Sequence, residues 1–324
     1  MNRRKFVALA GATIAAPHVS LAQPAGTSVR IGSLTPGAPV PAPLGTVLLK
    51  GLEQHGFVIG KNLTYDARGA AGQKSKLPEI VRAMKADHVD VVVAVGYPTA
   101  LACKVEEVPT VVAWGTGDPV ATHLVDGLAR PGGSVTGISD NATALSGKRL
   151  DIIKQAVPNL KRVAMLWNRD DLGMSLRYEA SAESARSLGA AVLALGVREP
   201  DDFNGVFEAM NRERPDAILM VSDSLTTLNR KRVFDYAAEH HIPALYEYDA
   251  MARDGGLMSY GPDLKESVER VADLVGRILK GARPADLPFE QPTRYPFVVN
   301  LKTAKATGIE LPVNLVALAD EVIE

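Results

Sequence analysis

Residues 89–104 read VDVVVAVGYPTALACK, an apolar run followed directly by a segment that suits a helix. Six of the seven residues from Val89 to Val95 are apolar and most are β-branched, which is typical of a strand buried on both faces in a parallel sheet. The run breaks at Gly96, and Pro98 suits the first turn of a helix, where its missing N–H costs nothing. A buried strand that leads at once into a helix predicts an α/β fold.

The same alternation of short apolar runs and amphipathic, helix-length segments extends along the chain from Val29. Five strand candidates precede a polar stretch at residues 139–147, and five follow it. In chain order they are VRIGSL, LTYDAR, VDVVVAV, VPTVVAW and SVTGIS, then RVAMLW, AVLALGV, DAILMVS, IPALYE and GGLMSY. Strands that alternate with helices indicate parallel sheets built from βαβ units. We therefore predict two Rossmann-like α/β lobes, each with its own parallel sheet.

The predicted lobe boundaries follow from the segments that interrupt this alternation. We expect residues 28–139 with 262–283 to form an N-terminal lobe, and residues 140–261 with 290–324 to form a C-terminal lobe. The proline-rich residues 282–296 suit no regular element and are expected to cross between the lobes in an extended form. The chain after this segment predicts one strand and two short helices.

Composition and charge exclude several classes of protein. The 324 residues carry 36 Lys and Arg against 37 Asp and Glu, a formal charge of -1, so no basic surface for nucleic acid is expected. Cys103 is the only cysteine, which excludes an intrachain disulfide and a thiolate metal cluster. The six histidines lack the spacing of a helical metal pair. We expect no metal, no cofactor and no nucleic-acid partner.

Residues 1–22 have the pattern of a signal peptide. The basic start MNRRK leads into an apolar, Ala-rich run, and the segment ends in Ser20-Leu21-Ala22, with small residues at the two positions that a signal peptidase reads. The motif RRKF also fits the twin-arginine export pattern; an ordinary secretory signal is the alternative. We expect an exported protein that is soluble in the periplasm after cleavage.

Small polar and aromatic residues follow the predicted strands of both lobes. In open parallel sheets, ligands gather beyond the carboxyl ends of the strands. The candidate ligand-binding residues are Thr35, Pro36, Gly96, Tyr97, Pro98, Thr99, Thr116 and Asp118 in the first lobe, and Trp167, Asn168, Ser222, Asp223, Tyr246 and Tyr248 in the second. Most have a structural alternative as well: Asp118 and Asp223 suit helix caps, and Trp167 suits the end of a core. The prediction of a site rests on the set.

The common catalytic motifs are missing from the sequence. There is no GxSxG nucleophile elbow, no Walker A pattern and no complete dinucleotide-binding fingerprint. We expect no catalytic residues. An exported enzyme, the alternative, would have to use Asp118, Asp223 and Glu247.

Five long phrases, in order along the chain, carry a resemblance to a known family. They are GDPVATHLVDGLARPGGSVTGIS, LSGKRLDIIKQAVP, GGLMSYGPDL, RILKGARPADLPFEQPT and NLKTAKATGIELP. With them, essentially the whole chain after residue 22 resembles the substrate-binding proteins of ABC transporters, a group that includes aromatic amino acid-binding members. The resemblance implies a type I periplasmic-binding fold, in which two α/β lobes joined by three crossing segments close on a ligand. It also implies a small-molecule ligand, a membrane permease as partner and no catalysis.

The family commonly has Thr or Ser where this chain has Tyr97. Without a capping side chain, the helix that begins at Pro98 presents free N–H groups and the positive end of its dipole to the cleft. A ligand carboxylate would supply the missing cap, with the Thr99 hydroxyl as a further donor, and Tyr97 would stack on the ligand. Water or a neighbouring backbone group is the alternative.

On the second lobe, Asp223 would meet an ammonium group, while Trp167, Tyr246 or Tyr248 would form an apolar wall. If Asp223 only caps a helix, a carboxylate without an amine becomes the better ligand. Together with these residues, the resemblance implies the periplasmic solute-binding component of an ABC importer, which closes on an amino acid or another small carboxylate and delivers it to a permease. We expect a monomer. A ligand-sensing input protein of a signalling system is the alternative with the same fold.

Overall fold

The computed structural model describes residues 28–324, apart from the side chains of residues 42 and 43. The predicted signal peptide lies outside the described residues. The first part of the fold contains β1 (Val29–Thr35), α1 (Ala42–Gln54), β2 (Leu63–Gly69), α2 (Leu77–Ala86), β3 (Val91–Val95), α3 (Tyr97–Val105), β4 (Thr110–Trp114) and β5 (Val135–Gly137).

The second part continues the alternation to the end of the chain. Its elements are α4 (Ser146–Ala156), β6 (Arg162–Asn168), α5 (Leu172–Ser187), β7 (Ala191–Val197), α6 (Asp202–Glu213), β8 (Ala217–Met220), α7 (Ser224–Leu228), α8 (Arg230–Glu239), β9 (Ala244–Tyr246), α9 (Asp249–Arg253), β10 (Met258–Tyr260), α10 (Leu264–Leu279), β11 (Phe297–Asn300), α11 (Leu301–Thr307), α12 (Val313–Val316) and β12 (Glu321–Ile323). Short 3-10 turns lie at Lys74–Lys76 and Pro284–Asp286.

The first sheet has the strand order β2-β1-β3-β4-β5, and all its neighbours are parallel. Its strand β3 is buried along its whole length, as expected for an apolar run covered on both faces. Helices α1 and α10 cover one face through residues such as Leu52 and Val271. Helices α2 and α3 cover the other through residues such as Val81 and Cys103.

The second sheet has the order β12-β11-β10-β9-β8-β6-β7. It is parallel except where β11 runs antiparallel to β10. Helices α4 and α5 pack on one face and α6 and α8 on the other. All eleven predicted strands are present, so the two-lobed α/β fold is confirmed; β12, at the edge of the second sheet, was not predicted.

Three segments pass between the two sheets and bond to one another. They follow β5, follow β10 and precede β11. The Ser139 N–H donates to the Glu290 carbonyl at 2.7 Å, and the Asp263 N–H donates to the Arg294 carbonyl at 3.1 Å. The exact lobe boundaries stay a proposal. No helix among residues 28–324 is both long and apolar enough to span a membrane.

Candidate functional site

A cavity of about 590 Å³ lies between the two sheets. Its wall comes from the loops that follow β1 to β4 on one side and β6 to β9 on the other, because the carboxyl ends of both sheets face the same cleft. Eight of the fourteen predicted site residues line it: Thr35, Pro36, Gly96, Pro98, Asn168, Ser222, Asp223 and Tyr248.

The start of α3 reaches the cavity through Gly96 and Pro98 and has no side-chain cap. The N-cap is Gly96, at φ 82°, one residue before the predicted position at Tyr97. The Tyr97 N–H donates to the Gly115 carbonyl at 3.0 Å, and Pro98 has no N–H. Among the described residues, neither the Thr99 N–H nor its buried Oγ1 has a hydrogen-bond partner. Thr99 itself does not line the cavity, although these free donors lie beside residues that do.

The aromatic wall differs from the prediction. Tyr248 lines the cavity, and so does Trp114, which was not among the predicted site residues. Trp167 instead stacks on Tyr178, with ring centroids 3.6 Å apart and planes 4° from parallel. Tyr246 is 1% exposed and lies inside a core cluster. A strand-end position therefore does not by itself decide which rings meet the cleft.

Tyr97 also lies off the cavity wall. Its ring packs against the cluster that contains Leu124, and its hydroxyl donates to the Thr122 carbonyl at 3.4 Å. It borders a second groove, with Leu101 and Val105 of α3. This arrangement offers no support for the predicted stacking of Tyr97 on a ligand.

Thr116 and Asp118 lie beyond the cavity wall as well. Asp118 is exposed and accepts hydrogen bonds from the backbone N–H groups of Val120 and Ala121 at 2.9 and 3.0 Å. Asp118 therefore caps a turn, which was the structural alternative to its predicted role in ligand binding. Thr116 is fully buried, and its hydroxyl has no partner among the described residues.

Three carboxylates line the cavity on its C-terminal side: the exposed Glu199, and Asp223 and Asp171, which are less accessible. Asp223 caps α7: its side chain accepts from the Thr226 N–H at 2.9 Å and from the Asn168 side-chain amide. Asp171 caps α5 through the Met174 N–H at 3.3 Å. Burial, followed by the charge of Asp223, raises the pKa of Asp171 to about 7. An Asp before a helix is an N-cap signal, and that signal gives no indication of a neighbouring cavity.

Four buried charges lie beneath the cavity. The Arg177 guanidinium donates to the Asp140 carboxylate, and also to Glu247 at 2.9 Å. Glu247 pairs with Arg149 at 3.0 Å as well. All four residues are at most 2% exposed. Burial lowers the pKa of Arg177, but the carboxylates of Asp140 and then Glu247 oppose this, and its pKa lies well above the ordinary value.

This charge cluster holds parts of the cavity wall in place. The Asp140 carboxylate accepts the N–H of Gly115 at 2.8 Å, and Glu247 accepts the N–H of Ser222 at the same distance. Arg149 donates to the Tyr260 carbonyl at 2.9 Å. The cluster thus joins two crossing segments to wall residues of both lobes. Sequence reasoning missed it, because Arg and Asp in polar segments give no sign of being buried.

The lobes also touch directly beside the cavity. A Cβ added at Gly117 would lie 2.8 Å from the Gly173 Cα, so the backbones of the two lobes are in van der Waals contact here. On another side, the Lys74 ammonium approaches the Asn168 side-chain oxygen at 3.4 Å. The described arrangement is therefore a closed one. Residues 28–324 contain no group of three or more His, Cys, Asp or Glu side chains placed to hold a metal ion.

Comparison with known proteins identifies the class. The profile of the family described as "ABC transporter substrate binding protein" matches residues 45–323, and the chain belongs to this family. It is 23% identical over 264 residues to a tyrosine-binding protein of Clostridioides difficile, covering 81% of this chain and 75% of that protein.

Solved structures show the same fold. An ABC domain from Streptococcus pneumonia in complex with L-Trp is 25% identical, with a TM-score of 0.81 over 92% of this chain and 100% of that one. A conserved domain protein from Vibrio cholerae is 26% identical, with a TM-score of 0.83 over 91% of this chain and 99% of that one. The two-lobed architecture is thus that of type I periplasmic-binding proteins.

Proposed function

We propose that this protein is the solute-binding component of an ABC importer and that its lobes close on a small aromatic carboxylate, with aromatic amino acids as the leading ligands. The observation that carries the proposal is the cavity of about 590 Å³ between the lobes. Its volume is in the range of small-molecule sites, and its wall includes Trp114 and Tyr248. The similarity to a tyrosine-binding protein and to a protein solved with L-Trp supports an aromatic side chain in the ligand.

The start of α3 is the proposed anchor for the carboxylate. The helix dipole places partial positive charge at this end, and helix N-termini bind anions through free N–H groups. The Thr99 hydroxyl is fully buried and Thr99 is not part of the cavity wall, so the proposed anchor is the end of the helix at Gly96 and Pro98 and not this hydroxyl. The cavity-lining Gly96 and Pro98 leave this end of the helix open to the cleft.

Closure is the proposed signal to the permease. A ligand shifts the lobes only if it binds the closed state more tightly than the open one. A ligand held between α3 and the loop after β8 meets this condition, because the two walls belong to different lobes. We propose that the protein acts in the periplasm as a monomer without catalytic activity. Residues 1–22 support export through their signal-peptide pattern.

The test is thermal unfolding of the purified protein with L-tryptophan, L-tyrosine and L-phenylalanine, their amides, and a set of sugars and purines. A ligand at a hundred times its Kd stabilises the folded state by about 2.7 kcal/mol. We expect stabilisation by at least one aromatic amino acid, and its loss with the matching amide. Stabilisation by sugars or purines alone would contradict the proposed ligand class.

Uptake separates import from sensing. Cells that lack the gene are compared with cells that carry it for accumulation of the labelled ligand at concentrations near its Kd. An importer component predicts that uptake falls in the deletion and returns with the gene. Unchanged uptake, together with binding of the ligand to the purified protein, would favour the signalling role.

A further inference from the structure

Asp171 is a cavity-lining carboxylate that is buried without an ionic partner. It is 3% exposed and lies on the cavity wall. One of its oxygens accepts the Met174 N–H at 3.3 Å. Among residues 28–324, the other oxygen accepts no hydrogen bond, and no Lys, Arg or His nitrogen lies within 4.0 Å of the side chain. A buried carboxylate is stable as an anion only when a donor or a cation satisfies it.

Asp223, the predicted partner of a ligand amine, is differently placed. One of its oxygens accepts from the backbone N–H of Thr226, and the other accepts from the side-chain amide of Asn168. Each oxygen of Asp223 thus already has a donor within its own lobe. Three carboxylates lie on this wall. Glu199 is exposed to solvent, so Asp171 is the buried carboxylate with a free oxygen.

A second group on the same wall also lacks a partner. Ser222 lines the cavity, and its buried hydroxyl has no hydrogen bond within the described part of the chain. A hydroxyl oxygen accepts as well as donates hydrogen bonds. A buried carboxylate and a buried hydroxyl on one cavity wall are complementary to an ammonium group, which has three donors and no acceptor.

Within residues 28–324, none of the charged groups around Asp171 forms an ion pair with its carboxylate. Burial raises its pKa to about 7, and the charge of Asp223 acts in the same direction. Lys74 from the other lobe and Arg177 oppose that effect, but neither forms an ion pair with Asp171. The Tyr97 phenol is the remaining titratable group that interacts with it. A strongly perturbed acid in a cleft marks a candidate functional position.

We propose that Asp171 is the specificity-determining carboxylate that holds the ammonium group of the ligand, with the Ser222 hydroxyl as a second acceptor. The protein would thereby select aromatic amino acids over the matching acids that lack the amine. This inference rests on the proposed function and refines its ligand class. Because only the ionised form of Asp171 pairs with an ammonium group, capture of the ligand weakens as the pH falls through the titration of Asp171.

The experiment compares three proteins: wild type, Asp171→Asn and Asp170→Asn. Asn keeps the helix cap at position 171 and removes the charge. Asp170 is the matched control, because it is the adjacent acid, does not line the cavity, and pairs with Arg198 at the surface at 3.2 Å. Titration calorimetry measures Kd for L-tryptophan, indole-3-propionate and tryptamine, and for the equivalent set of tyrosine analogues, at pH 6 and pH 8.

We expect wild type and Asp170→Asn to bind the amino acid at least about tenfold more tightly than the acid without the amine at pH 8. Asp171→Asn loses that preference and binds the acid without the amine nearly as wild type does. The ionised fraction of a group with a pKa of about 7 falls from about 0.9 at pH 8 to about 0.1 at pH 6. Wild-type affinity for the amino acid therefore falls about tenfold between these pH values, whereas that of Asp171→Asn stays level.

Two results overturn the inference: an unchanged preference in Asp171→Asn, or an equal loss of affinity for the amino acid and the acid without the amine. If no member of either set binds the wild type, the aromatic ligand class fails. Leucine, arginine and putrescine then decide the inference by thermal shift. An amine that stabilises wild type but not Asp171→Asn supports it, and the absence of any such amine contradicts it.

Discussion

Replacement of Gly173 by Ala should hold the lobes apart without weakening the fold. Gly173 lies in the first turn of α5, where Ala stabilises a helix by up to about 1 kcal/mol relative to Gly. In the closed arrangement, the added Cβ would lie 2.6 Å from the Thr116 carbonyl oxygen of the other lobe. An ordinary contact begins at 3.4 Å, so the two backbones must separate by about 0.8 Å.

The size of the effect follows from the cost of overpacking. Inserting a methyl group into a well-packed contact costs about 1–3 kcal/mol, and 1.4 kcal/mol is a factor of ten in Kd. We expect Gly173→Ala to weaken ligand binding by roughly fivefold to a hundredfold. Because the methyl group meets the other lobe only on closure, the Tm of the ligand-free protein should stay level or rise. Gly117 is a poorer choice for this test, since its φ of 69° would strain any side chain.

Calorimetric titration with the ligand and thermal unfolding without it measure the two effects. Gly205→Ala is the matched control, because Gly205 lies in helix α6 and a Cβ there meets no atom within 4 Å. It should raise the Tm comparably and leave Kd unchanged. Wild-type affinity in Gly173→Ala would refute the reasoning, since it would show that ligand binding does not require the contact between Gly173 and Thr116.

Three further substitutions and one labelling experiment test other parts of the structure. Thr99→Val removes a buried hydroxyl without a partner and should raise the unfolding free energy of the ligand-free protein by about 1 kcal/mol, as measured by urea unfolding; a lower unfolding free energy would contradict the missing partner. Asp140→Asn removes one of the two carboxylates that pair with Arg177 and leaves the buried cluster with two guanidinium groups and one carboxylate, which should cost about 3–5 kcal/mol in urea unfolding; a loss below 1 kcal/mol would contradict a buried ion pair. The raised pKa of Asp171 stabilises the ligand-free protein below about pH 4, and this contribution is lost as the pH rises to about 7. The unfolding free energy of Asp171→Asn should therefore rise relative to that of wild type over this interval, by up to about 4 kcal/mol. Unfolding experiments at pH 4 and pH 8 measure the difference. Burial raises the pKa of the Cys103 thiol to about 12, so a thiol reagent at pH 8 should label it only in the unfolded protein; rapid labelling of the folded protein would contradict its burial.

The strands were predictable because burial on two faces leaves a local pattern. The run Val91–Val95 is apolar throughout, and a strand between two helical layers has no other requirement. Strand β12 (Glu321–Ile323) lacks this pattern, since it is three residues long, lies at a sheet edge and is partly exposed. Helices α7 and α9, with five residues each, are too short to show a helical repeat.

The candidate site was predictable only as far as topology determines it. The rule that ligands gather at the carboxyl ends of parallel strands selects the correct loops, and eight of the fourteen predicted residues line the cavity. Which side chain of a loop faces the cleft depends on packing between elements. Tyr248 meets the cavity whereas Tyr246, two residues earlier, fills the core. Asp171 faces the cleft only because helix α5 of one lobe begins opposite the loop after β4 of the other.

The buried charge cluster is the part of the structure that sequence patterns were least able to predict. Arg149 and Arg177 lie in helices α4 and α5, and their partners Asp140 and Glu247 come from a crossing segment and from the end of β9. No spacing along the chain connects these four residues. Removing one partner of a buried pair costs several kcal/mol, so the loss of any one of the four charges destabilises this arrangement of the lobes. The same cluster accepts the N–H groups of Gly115 and Ser222. The cavity wall and the crossing segments between the lobes therefore depend on a single set of interactions.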